Sequence, residues 1–114
     1  MEAEFIQYEQ ALALRELGFD EPCFGYYSNG NLVYGNHTNN EMQRFRYSAP
    51  TFSQAFRWFR EKYKELKFFI KEEDFREGLY EYDIKDVLCA SGYKTYEEAE
   101  LECLKKLIEI VKNK

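Results

Sequence analysis

The chain is expected to fold as one α+β domain over residues 1–114. The expected form is a single antiparallel sheet of four to five strands packed with two to three helices, in the order α-β-β-(β)-α-β-β-α. Three observations lead there. Two segments carry apolar residues at helical spacing behind a Thr that can cap them. An Asn-Gly pair sits between two short aromatic runs, as in a tight hairpin. The remaining apolar segments alternate in and out and are joined by short turns, which implies antiparallel pairing. Ten Tyr, ten Phe and one Trp among 114 residues can fill a core without disulfide or metal staples.

Taken in order, residues 5–18 are rich in Ala, Leu, Arg, Glu and Gln and form a first helix, with Gly18 as its stop. Asp20-Glu21-Pro22 then forces an extended exit. Cys23–Tyr27 and Leu32–Gly35 are strands, closed by a type I′ turn at Ser28-Asn29-Gly30-Asn31. Residues 36–50 begin as a polar loop, and Gln43–Tyr47 alternates as a short edge strand with Phe45 and Tyr47 on one face and Arg44 and Arg46 on the other. Thr51 and Gln54 form a capping box ahead of the stripe Phe52, Ala55, Phe56, Phe59 and Tyr63. Trp58 falls roughly 100° from the centre of that stripe. It either covers a neighbouring element or stands out as a platform for a ring or a partner.

Leu66–Glu72 and Leu79–Lys85 are two further strands around a charged turn, Glu73–Gly78. Leu66, Phe68, Ile70, Tyr80, Tyr82 and Ile84 point inward. The second strand can continue through Val87–Ala90 until Ser91-Gly92 breaks it. Thr95 and Glu98 open a last helix, Tyr96–Lys112, with Ala99, Cys103, Leu107 and Ile110 as its stripe, widened by Leu104, Ile108 and Val111. Glu100 falls within the arc of that stripe and stays wet if the first turn overhangs the core.

The net charge of −5 excludes a protein that coats bulk nucleic acid, and no apolar run is long enough to span a membrane. The charge is segregated. Residues 1–21 carry −5, residues 22–60 carry +3 and residues 61–114 carry −3. Between Met42 and Arg60 there is no acid, and every cation there is Arg, whose planar fork grips phosphate and stacks on rings. Arg44, Arg46, Arg57 and Arg60, with Trp58, Tyr34 and Tyr47 as stacking rings, are therefore the candidate ligand-binding residues. The competing reading pairs these Arg with acids of the flanking segments.

Three Cys without a CxxC, one His and no basic-apolar leader suit reduced thiols inside a cell. The spacing of Cys23, His37, Cys89 and Cys103 is not that of a zinc site, and no cofactor is expected. No nucleophile–base pair stands out, so no catalytic residue is assigned.

The segments Ala11–Cys23, Gln54–Tyr63, Tyr93–Glu100 and Cys103–Val111 resemble a family of small, functionally uncharacterised proteins from phages and prophages of Bacteroidetes-type bacteria. The Asn36–Tyr47 segment is longer here than in that pattern. The resemblance implies a viral accessory protein working in the host cytoplasm. Two partners fit these readings: a small anionic nucleotide of host immune signalling, held by the Arg and aromatic residues, or a host defence protein engaged by the acids Glu9, Glu16, Asp20 and Glu21. A domain that forms a homodimer through exposed aromatics is a third reading.

Overall fold

The computed structural model describes residues 4–39 and 46–114. Three helices and six strands follow in the order α1 (Tyr8–Glu16), β1 (Cys23–Ser28), β2 (Asn31–His37), β3 (Arg46–Ser48), α2 (Phe52–Lys62), β4 (Phe68–Glu72), β5 (Tyr80–Ile84), β6 (Leu88–Tyr93) and α3 (Tyr96–Lys112). The class is α+β as expected, but the strands form two three-stranded antiparallel sheets, β2-β1-β3 and β4-β5-β6, in place of one sheet of four or five. The central strands explain the division. Both edges of β1 are filled by β2 and β3, and both edges of β5 by β4 and β6, so each sheet is completed by strands close to it in sequence.

The Asn-Gly turn forms as its residues dictate. Asn29 and Gly30 both take positive φ, 53° and 83°, and Ser28 pairs with Asn31. Beyond it β2 runs through His37, so Asn36 and His37 belong to a strand and not to a loop. Asn39 ties two distant segments together. Its buried amide donates to the Phe19 carbonyl at 2.7 Å and accepts from the Ser48 N–H at 2.7 Å. β3 is an edge strand as read, although it covers Arg46–Ser48; Arg44 and Phe45 lie outside the described residues.

The first helix starts at Tyr8, three residues later than its composition suggests. Phe5 instead bridges Thr51, and the Ile6 N–H bonds the Pro50 carbonyl at 3.0 Å, which draws residues 5–6 into extended backbone. Phe5 also lies against Gly25, where an added Cβ would come within 3.0 Å of its ring; the glycine permits that approach.

The second sheet holds the other correction. The chain does not run straight on from β5 into residues 87–90. It reverses at Lys85–Val87, with Asp86 at φ 64° and the Val87 N–H on the Ile84 carbonyl at 2.9 Å. Asp tolerates the left-handed region without being as conspicuous a turn signal as Gly. Ser91-Gly92 lies inside β6. There Gly92, at φ 88°, marks an irregularity, and its N–H donates to Glu73 Oε2 at 2.6 Å.

Both expected caps are present. Thr51 Oγ1 accepts from the Gln54 N–H at 3.2 Å, and Thr95 Oγ1 from the Glu98 N–H at 3.1 Å. Glu98 reaches back past the cap residue to accept from the Lys94 N–H, whereas the Gln54 amide reaches away to the Pro22 carbonyl at 2.9 Å and ties α2 to the start of the first strand. Of the α2 stripe, Phe52, Ala55, Phe56 and Phe59 are buried and Tyr63 is half-buried; of the α3 stripe, Ala99, Cys103, Leu104, Leu107, Ile108 and Val111 are buried and Ile110 is half-buried. With Phe19, Leu14 and Ile84 these buried residues, Ala99 apart, belong to one apolar cluster that joins both sheets. Each fully buried Leu or Phe contributes about 1.5–3 kcal/mol by leaving water. Glu100 is half-buried rather than wet, and burial, with Glu97 nearby, raises its carboxyl pKa.

Candidate functional site

The residues expected to form one Arg-aromatic pocket are distributed over separate places. Arg46 lies over the Tyr26 ring at 5.9 Å. Tyr47 is half-buried between Arg15, at 5.2 Å, and Tyr8, which meets it edge-on. Tyr34 is 55% exposed on β2, beside Phe5. Arg57 pairs with Glu21 at 3.5 Å and Glu61 at 3.9 Å. Trp58 is only 6% exposed, edge-on to Phe19, Phe59 and Tyr63, with the Lys62 ammonium 5.1 Å from its ring. Of its two readings, covering a neighbour is the one that matches this placement. Arg60 points another way, its guanidinium 4.3 Å over the Phe68 ring.

Arg60 leads to a groove of about 430 Å³ that sequence reasoning missed. Its apolar surface is Leu66, Phe68 and Phe69. Its charged residues are Arg60, Lys64, Lys67 and Lys85, with one acid, Asp83. The size and the mixture suit a small ligand.

Two features separate this groove from an ordinary charged surface. The first is pairing. Arg57, Lys71, Arg76, Lys105, Lys106, Lys112 and Lys114 all meet a carboxylate within 4.0 Å. Among the described residues, none of the four groove cations does; nor do Arg15, Arg46, Lys62 and Lys94 elsewhere, of which Arg15 and Lys62 bond carbonyl oxygens and Arg46 lies over a ring. The second is register. Phe68 pairs with Ile84, and the Lys85 N–H donates to the Lys67 carbonyl at 2.8 Å, so Lys67 and Lys85 stand opposite each other across two neighbouring strands. Like charges in that position are mutually destabilising by a few tenths to about 1 kcal/mol. Arg60, in the last turn of α2, also complements the helix dipole; Lys67 and Lys85, just before β4 and just after β5, have no such structural reason to be there. The signal was readable in principle: matching Leu66–Glu72 against Leu79–Lys85 in antiparallel register brings the two Lys together.

The arrangement offers charge and an aromatic surface, and the residues lining it include no Ser, Thr, Cys or His. The β1–β2 register sets His37 opposite Cys23, yet the Cys23 thiol bonds the Glu21 carbonyl at 3.4 Å, and burial, then Glu21, pushes its pKa up to about 12. Burial holds Cys103 at about 12 as well. Cys89 is exposed, and partial desolvation followed by its hydrogen bond to Glu81 raises its pKa too. A maleimide is therefore expected to modify one thiol per folded chain, Cys89, faster as pH rises and faster again in Glu81→Gln. All three should react in denaturant. Rapid modification of two thiols in the native protein, counted by mass spectrometry, would contradict the burial of Cys23 and Cys103.

Among the described residues, no group of three or more His, Cys, Asp or Glu is placed to hold a metal ion, and no helix is long and apolar enough to cross a membrane. No protein-family model, curated protein or solved structure matches the chain.

Proposed function

We propose that the protein binds a small nucleotide-type anion, without transforming it, in the groove between the end of α2 and the β4–β5 hairpin. The observation that carries this reading is the gathering, around an apolar surface, of four cations with no carboxylate within 4.0 Å among the described residues, in a chain whose net charge is −5. Arg60, Lys64, Lys67 and Lys85 supply the phosphate contacts, and Phe69, 47% exposed, supplies a face for a base. The local positive field acts on a compact anion despite the acidic surroundings. A phage accessory protein of this kind would sequester a nucleotide immune signal in the host cytoplasm.

The alternative, an acidic inhibitor of a host defence protein, draws on residues with intramolecular partners: Glu16 approaches Lys112 at 4.0 Å, and Glu21 meets Arg57.

The test is a thermal-shift and calorimetric panel of mononucleotides, cyclic nucleotides and ADP-ribose-type nucleotides. At least one should raise the melting temperature and be recovered intact after heating. Arg60→Ala should weaken that binding about tenfold or more, as for a lost charged hydrogen bond, while Arg57→Ala leaves it unchanged. Absence of any shift across the panel rejects the reading.

A further inference from the structure

The outward face of the β4–β5 hairpin carries two neighbouring cross-strand pairs. One is Lys67 with Lys85; the other is Phe69 with Asp83. Two residues along a strand separate them, about 7 Å. All four line the groove. Asp83 is half-buried, and among the described residues no Lys or Arg comes within 4.0 Å of its carboxylate, although it shares the groove with four cations. A carboxylate left open there repels phosphate from its own end and accepts hydrogen bonds only.

We infer that Asp83 is the specificity-determining residue of the groove and that it selects a guanine nucleotide. The inference rests on the nucleotide-binding reading above. The Lys pair fixes the phosphate at one end, the Phe69 ring lies under the base, and Asp83 faces the edge of that base. A carboxylate has two acceptor oxygens and is matched by two adjacent N–H donors. Guanine presents such a pair, its ring N1–H and its 2-amino group. Hypoxanthine lacks the amino group, adenine offers a single donor site, and uracil flanks its N–H with carbonyls. Asp83 thus sets the orientation of the ligand as well as its identity, because the opposite orientation would bring phosphate against a carboxylate.

The test compares GMP, IMP, AMP, UMP and ribose 5-phosphate by calorimetry on the wild-type chain and on Asp83→Asn. Wild type should bind GMP at least about tenfold more tightly than IMP or AMP, the share of a hydrogen bond to a charged group. Asp83→Asn should erase that preference while binding ribose 5-phosphate as well as wild type or better, since a repelling charge is gone. Equal affinity of wild type for the four nucleotides overturns the role of Asp83 and leaves the groove reading standing. A loss in Asp83→Asn that is the same for every nucleotide and for ribose 5-phosphate also overturns it, because the carboxylate would then hold the ribose hydroxyls. If none of these compounds binds, and no other nucleotide does, both readings fall together.

Discussion

Replacing Lys67 and Lys85 together by Gln is expected to weaken nucleotide binding by about 100- to 10,000-fold and to leave the protein as stable as before, or slightly more stable. The binding loss follows from two hydrogen bonds between charged partners, each contributing about 1.5–3 kcal/mol, with about 1.4 kcal/mol per tenfold in affinity. The stability result has the opposite sign because Lys67 and Lys85 are like charges standing opposite one another in the β4–β5 register. Relieving that repulsion returns a few tenths to about 1 kcal/mol. The combination separates a binding residue from a structural one. Calorimetry with the best nucleotide of the panel measures the first effect, and urea denaturation the second. The same double change at Lys105 and Lys106, which already pair with Glu102 and Glu109 on α3, should alter neither by more than a few tenths of a kcal/mol. If Lys67→Gln/Lys85→Gln binds like wild type, the groove is not the site.

Trp58→Ala is expected to destabilise the chain by about 3–5 kcal/mol, a large part of the 5–15 kcal/mol typical of a small domain. Trp58 is enclosed by Phe19 from the segment after α1, by Phe59 from its own helix and by Tyr63 at the end of that helix, with centroid distances of 5.5, 5.0 and 5.8 Å. Truncation removes the largest ring of that group and leaves a cavity its neighbours cannot close. Trp58→Phe keeps most of the contact and should lose much less. Urea denaturation followed by circular dichroism measures both. As the only Trp in the chain, Trp58 should also emit in the blue when folded and shift to the red on unfolding. At a temperature where Trp58→Ala is still folded, its nucleotide affinity should equal that of wild type, since the groove contains no part of Trp58. A variant as stable as wild type that has lost its ligand would return Trp58 to the site.

Legibility varied with the range of the interaction that decides each feature. Thr51, Thr95, Asn29 and Gly30 act within four residues, and the caps and the hairpin turn were accordingly readable. The stripes of α2 and α3 and the inward residues of β4 and β5 were readable because burial imposes its period directly on the sequence. The start of α1 was not, because the bridge from Phe5 to Thr51 overrides the helix propensity of residues 5–7. Nor was β6, because its reversal rests on an Asp in the left-handed region rather than on a Gly. The site was the least legible. A run of Arg without acids looked like a pocket, but Arg57 is drawn to Glu21 and Arg60 to Phe68, and the cations that join Arg60 come from the segment after α2 and from the outward face of the hairpin, where no local pattern sets them apart.

The division into two sheets also has a kinetic consequence. β1 and β2 are neighbours in the chain, and β4, β5, β6 and α3 follow one another directly, so most strand pairing spans short loops. Such contacts form fast because little chain entropy is lost in closing them. The contacts that span the molecule, α1 on α3 and Phe5 on Thr51, are few by comparison. The protein is thus expected to assemble from two hairpin-based nuclei that dock late through Phe19, Phe59, Leu104 and Leu107. The β4–β5 hairpin belongs to the nucleus that can be built without waiting for the other.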